Sequence, residues 1–183
     1  MAETLPGWAK AILHFWFEEL GLDDWFSANP AIDEAIRARF EPLLRDLGSK
    51  PDAQFTGDPH TALAAILLFD QFPRNLYRHQ PAAFVHDARA RGIASEVIAR
   101  GWVDRLPDAQ RQFVGMPLMH SEALSDQQAS LAFFEGHAPA NLPFAQSHHE
   151  MIARFGRFPH RNAALGRDTT AEEQRAIDEG FSW

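Results

Sequence analysis

Residues 61–72 constrain the fold more than any other stretch. Residues 62–69 form an unbroken run of eight apolar side chains, and residues 61–72 are apolar almost all round a helical wheel. A helix with no polar face has to be buried on every side, so the rest of the chain must supply helices to enclose it. The run is too short to span a bilayer, which takes about 20 residues. Pro73 follows and predicts a helix stop, because the ring restricts the residue before it.

The enclosing segments read as one-faced helices. Ile32, Ile36, Phe40, Leu43, Leu44 and Leu47 recur at steps of three and four. Pro42 within that stripe predicts a kink or break. Phe144, His148, Met151, Ile152 and Phe155 make a second stripe. Pro81 suits the first turn of a long helix reaching Arg100 and ended by Gly101. Pro107 starts a short helix near Asp108, and Ser125 is a candidate N-cap for a helix reaching Phe134 and closed by Gly136. Thr169 with Glu172 and Thr170 with Glu173 offer overlapping capping boxes for a last helix ending at Gly180. Residues 48–58 read as an irregular loop. No stretch alternates strictly between apolar and polar residues, so strands are not expected. The 183 residues therefore predict an all-α fold, with seven to nine helices in a bundle or a short superhelix of antiparallel helix hairpins. Residues 1–183 read as a single domain. Aromatic clusters at Phe15-Trp16-Phe17, Trp25-Phe26 and Phe181-Ser182-Trp183 read as core packing, with Trp183 docked on the body.

A formal net charge of −8 argues against nucleic-acid and anionic-membrane partners, which select basic surfaces. With no cysteine in the chain, thiolate chemistry and Cys-based metal sites are excluded. The first residues carry no basic stretch ahead of an apolar one, so no secretory signal is read and a cytoplasmic location is expected.

Four segments set polar groups beside apolar ones. They run from Asp70 through Arg74 and Asn75 to Arg78, from Met116 through His120 and Ser121 to Glu122, over His148-His149-Glu150, and from Arg154 through Arg157, His160, Arg161 and Asn162 to Arg167. The last holds four arginines, one histidine and no acid between Arg154 and Arg167, in an acidic chain. Clustered like charges need water, acids from elsewhere in the fold, or an anionic ligand. Asp70 and Glu122 are the candidate acids for a structural network, and guanidinium forks also match carboxylate or phosphate. Arginine outnumbers lysine 15 to 2, which suits bidentate oxyanion recognition, although for the excess as a whole codon bias is the favoured reading. Asp70 closes an apolar run and must be paired or protonated. His148 lies on an apolar stripe and reads first as a core histidine. Asp70, His120, Glu122, His148 and His160 could together ligate a metal, yet no His-Glu-x-x-His spacing puts ligands on one helix face. No nucleophile elbow, Walker loop or dinucleotide glycine pattern occurs, so no cofactor is expected. Phe72-Pro73-Arg74-Asn75 is echoed by Phe158-Pro159-His160-Arg161-Asn162, which predicts two similar helix ends.

These segments, with Ile12-Leu13-His14-Phe15-Trp16-Phe17, Leu165-Gly166-Arg167 and Gly180-Phe181-Ser182-Trp183, carry a resemblance over nearly the whole chain. The sequence resembles the bacterial family named Domain of Unknown Function 924. The resemblance implies an all-α fold similar to tetratricopeptide-type helical hairpins, and it transfers no reaction, substrate or catalytic residue.

Three functional readings follow from the residues. In the first, Asp70, Arg74, Asn75, His120, Glu122, His148, Arg157, His160, Arg161 and Asn162 converge between helices on a small anionic metabolite. Arg157 and Arg161 then clamp the anion, and His120 or His160 transfers protons. In the second, a helical surface holds an acidic peptide or partner protein. In the third, the acids and histidines serve a metal-assisted hydrolase.

Overall fold

The computed structural model describes residues 5–181, so the expected docking of Trp183 lies outside the described residues. The helices, in order, are α1 (Gly7–His14), α2 (Leu22–Trp25), α3 (Pro30–Leu47), α4 (Pro59–Ile66), α5 (Phe72–Leu76), α6 (Asp87–Ala99), α7 (Asp108–Met119), α8 (Leu124–His137), α9 (Leu142–Phe155) and α10 (Ala171–Asp178). No strand occurs among the described residues, and the architecture is the expected all-α bundle. None of these helices is long and apolar enough to cross a membrane.

The apolar segment becomes the hub. Every residue from 61 to 73 is buried. α4 packs against α1, α6 and α7, while α7, α8 and α9 pack on one another in sequence. Asp58 caps α4 by accepting from the backbone N–H of His60 and Thr61, both at 2.9 Å. Around the hub Trp16, Phe72 and Phe113 meet with ring centroids 5.6 and 5.8 Å apart. Each such ring contributes about 1.5–3 kcal/mol by leaving water. The Trp25 indole N–H donates to the carbonyl of Trp16 at 2.7 Å, while the buried Trp16 Nε1 has no hydrogen-bond partner.

The proline-based expectations need correction. α3 runs through Pro42 without a break; its apolar stripe of Ile32, Ile36, Phe40, Leu44 and Leu47 is buried, and that packing outweighs one missing backbone bond. Pro73 stops nothing. A π turn over Leu67–Gln71 follows α4 directly and α5 follows that, with Pro73 in the first turn of α5, where a missing N–H costs little. The helix expected from Pro81 is instead a 3-10 turn (Pro81–Phe84) followed by α6. The helix after Pro107 is longer than expected and extends through Pro117. Ser125 is not an N-cap: α8 begins at Leu124, and Ser121 Oγ accepts from the Ala123 N–H at 3.2 Å. Phe144 lies off the buried stripe of α9 and is 55 % exposed. The Thr170–Glu173 capping box forms at α10.

Candidate functional site

Asp70 stands in the π turn that joins α4 to α5. Such a turn adds one residue to a helical circuit and is often found at functional sites. The Asp70 carboxylate is wholly buried. His120 Nδ1 lies 2.9 and 3.0 Å from its two oxygens, Gln71 Nε2 donates to it at 2.6 Å, and Arg74 Nη1 is 3.2 Å away. An ionised carboxylate only accepts hydrogen bonds, so the ring proton of neutral His120 sits on Nδ1 and Nε2 keeps its lone pair.

His120 caps the C-terminus of α7. Its ring is 6.1 Å from that of His148, which projects from α9 and donates from Nδ1 to the Phe144 carbonyl at 2.8 Å. His148 meets Phe158 edge-on at 5.5 Å, and Phe158 meets His160 at 5.7 Å.

The repeated Phe-Pro motif acquires a geometric meaning. Its first copy lies in α5 and its second in a 3-10 turn (Pro159–Arg161), so the two helix ends are not alike. Yet the arginines of both copies reach Asp87. Arg74 makes a bidentate pair with it at 3.0 and 2.9 Å, and Arg161 Nη1 lies 3.7 Å from it. Both guanidinium carbons also lie over the Phe84 ring, at 5.8 and 4.7 Å. Arg161 lies over Phe158 as well, at 4.5 Å.

Arg161 differs from the other arginines near it. It is 6 % exposed. Its Nε, like that of Arg167, has no hydrogen-bond partner, but where Arg167 holds Glu122 at 2.8 Å the 3.7 Å approach to Asp87 is the one ion pair of Arg161 among the described residues. Burial and the neighbouring Arg74 draw its pKa down to about 10. Burial raises the Asp70 pKa, but Arg74, His120 and Gln71 outweigh it and keep the carboxyl below its ordinary range. The histidines move the other way from a charged state. Burial, with Arg74 and Arg161, lowers His120. Burial and His120 take His148 to about 3, and burial and Arg161 take His160 to about 4. At neutral pH the cluster thus holds charged carboxylates and guanidiniums beside neutral imidazoles.

Of the ten candidate residues, Asp70, Arg74, His120, His148, His160 and Arg161 belong to this cluster. Glu122 borders it, accepting from the Phe158 N–H at 2.8 Å and pairing with Arg167 at 2.8 and 3.0 Å. Three candidates stand apart. Asn75 donates to Asp33 at 2.8 Å, in a network with Arg78. Arg157 pairs with Glu173 at 2.6 and 3.0 Å and donates to the Asp168 carbonyl at 2.9 Å. Asn162 is buried, and its Nδ2 lies 3.3 Å from Thr169 Oγ1. The basic stretch is therefore mostly answered by the protein's own acids: Arg154 pairs with Glu172 at 2.9 Å, Arg157 with Glu173 and Arg167 with Glu122, which leaves Arg161 as the loosely paired member. Among the described residues no three His, Asp or Glu side chains meet in a metal-holding group.

Sequence reasoning missed Asp87 and Phe84, which lie between the two motif copies and join them. In the sequence both fall within the helix expected from Pro81, and no local pattern marks an acid there as the shared partner of two distant arginines. Surface clefts of about 550 and 360 Å³ lie elsewhere, the first beside Leu22, Phe26 and His137 and the second beside Leu44, Tyr77 and His86. None of the ten candidates lines either.

The comparisons with known proteins agree with the fold. The model of a family described as bacterial protein of unknown function (DUF924) matches residues 12–180. A solved structure of a protein of unknown function from Agrobacterium tumefaciens is similar at 34 % identity, covering 94 % of this chain and 97 % of that one, with a TM-score of 0.88. No curated protein matches the chain.

Proposed function

The chain belongs to the bacterial DUF924 family, and from that premise we propose that it binds a small anionic metabolite, through a carboxylate or phosphate group, at the Asp70–His120–Arg161 cluster. One observation carries the reading. Arg161 is a buried guanidinium whose Nε has no partner and whose ion pair is 3.7 Å long. A buried guanidinium left short of hydrogen bonds is costly, and an oxyanion is a group that would complete its shell. Phe84, half-buried over both arginines, borders the cluster. His120, with its tautomer fixed by Asp70, supplies a base at the same place.

A thermal-shift screen of phosphates, nucleotides and carboxylates tests the proposal. A ligand at ten times its Kd adds about 1.4 kcal/mol, or roughly 3 °C in Tm for a chain of this size. Arg161→Met should abolish the shift, whereas Arg154→Met, on the exposed Glu172 pair, should retain it. Absence of any shift at millimolar ligand across the screen refutes the proposal.

A further inference from the structure

We infer that the site takes up its anion together with one proton, received by His120 and shared with the ligand through Nε2, so that affinity for the oxyanion rises as pH falls. The inference rests on the anion-binding reading above and goes beyond it by naming how the charge is compensated.

The argument is a charge count. Asp70 and Asp87 carry two negative charges, and Arg74 and Arg161 two positive ones. Glu122 and Arg167 at the border cancel each other. The cluster is neutral before any ligand arrives. An incoming oxyanion adds negative charge where little water remains, and uncompensated charge in such a place is strongly disfavoured. The nearest groups able to offset it are neutral imidazoles.

Among them His120 is the one placed to accept. The Asp70 carboxylate lies 2.9 Å from its Nδ1, so a second proton, on Nε2, makes an imidazolium already paired on its other side. The groups acting on it from the packed elements are Asp70 and Arg74 at the π turn and α5, His148 from α9, and His160 and Arg161 from the turn after α9. In the free protein burial first, then Arg74 and Arg161, oppose protonation, against Asp70, which favours it. An oxyanion beside Arg161 cancels part of that opposition and leaves Asp70 to favour the charged ring. Proton and anion therefore bind cooperatively by linkage. Asp70 acts here as a positioning residue, since it reaches the ligand only through His120.

Isothermal titration calorimetry with sulfate, which does not titrate near neutrality, tests this in Pipes and in imidazole buffers at pH 7. The difference in heat between the buffers counts protons. Near one proton per sulfate is expected, with affinity falling about tenfold from pH 7 to pH 8. His120→Gln should bind more weakly and take up close to none. Asp70→Asn, which keeps the side chain's size, should reduce the proton count, because the carboxylate that favours the charged His120 ring is gone. Sulfate binding with no proton uptake, or with the same count in His120→Gln, overturns this inference and leaves the anion site standing. No heat from sulfate, with no stabilisation by any anion in the thermal screen, overturns both.

Discussion

Lowering the pH from 7 to 5 should weaken the fold by about 2 kcal/mol through His148 alone. In the unfolded chain an imidazole titrates near 6.5. In the folded chain burial and the neighbouring His120 take His148 to about 3. Between those values the unfolded state binds more protons than the folded one, so stability rises with pH there. The contribution is complete above 6.5 and is lost progressively as pH falls toward 3. At pH 5 the unfolded imidazole is almost fully protonated while the folded one is not, and RT ln(1 + 10^1.5) gives about 2 kcal/mol. That figure hardly depends on the folded value while it stays below about 4. His160, drawn to about 4 by burial and Arg161, adds a smaller loss of the same sign because it is partly exposed. Asp70 does not interfere, since a depressed carboxylate gives up its stabilisation only below its unfolded pKa of about 4. Urea unfolding at pH 7, 6 and 5 measures the effect. The wild-type protein should lose between about 2 and 4 kcal/mol, and His148→Gln about 2 kcal/mol less than wild type. A flat wild-type profile, or equal losses in both proteins, would show that His148 is not held neutral by its surroundings.

Two further outcomes depend on packing and capping. A Cβ at Gly115 would stand 2.4 and 2.5 Å from Phe133 and 2.9 Å from Phe134, so Gly115→Ala should destabilise by about 1–3 kcal/mol in thermal or urea melts. Thr170→Ala removes the cap that Thr170 Oγ1 provides to the Glu173 N–H at 3.2 Å; a loss of about 1 kcal/mol is expected, read from the same melts.

The fold class was legible because its strongest determinants are local. The apolar run at 62–69 can only be a hub, and the stripe at 32–47 can only be one face of a helix. Proline was the poorest guide. Pro42 and Pro117 lie inside helices, where tertiary packing outweighs a missing hydrogen bond. At the site, Asp70, His120 and Arg161 were legible as chemistry out of place: an acid closing an apolar run, a histidine beside a helix end, an arginine in an acidic chain. Their grouping was not, because it depends on Asp87, an ordinary acid in the first turn of α6. Arg157 shows the converse. It has the same composition around it as Arg161, but Glu173 from a capping box lies within reach, a pairing set by three-dimensional proximity.

The wide turn at Leu67–Gln71 gives this protein an uneven tolerance to mutation. Swapping one aliphatic residue for another there leaves the angular phase between α4 and α5 intact. Deleting any one of the five would remove the residue that widens the circuit and draw the segment into an ordinary α turn with hydropathy scarcely altered, and Asp70 would be re-aimed relative to His120. Homologues that drift freely in composition across this segment should therefore still match it in length.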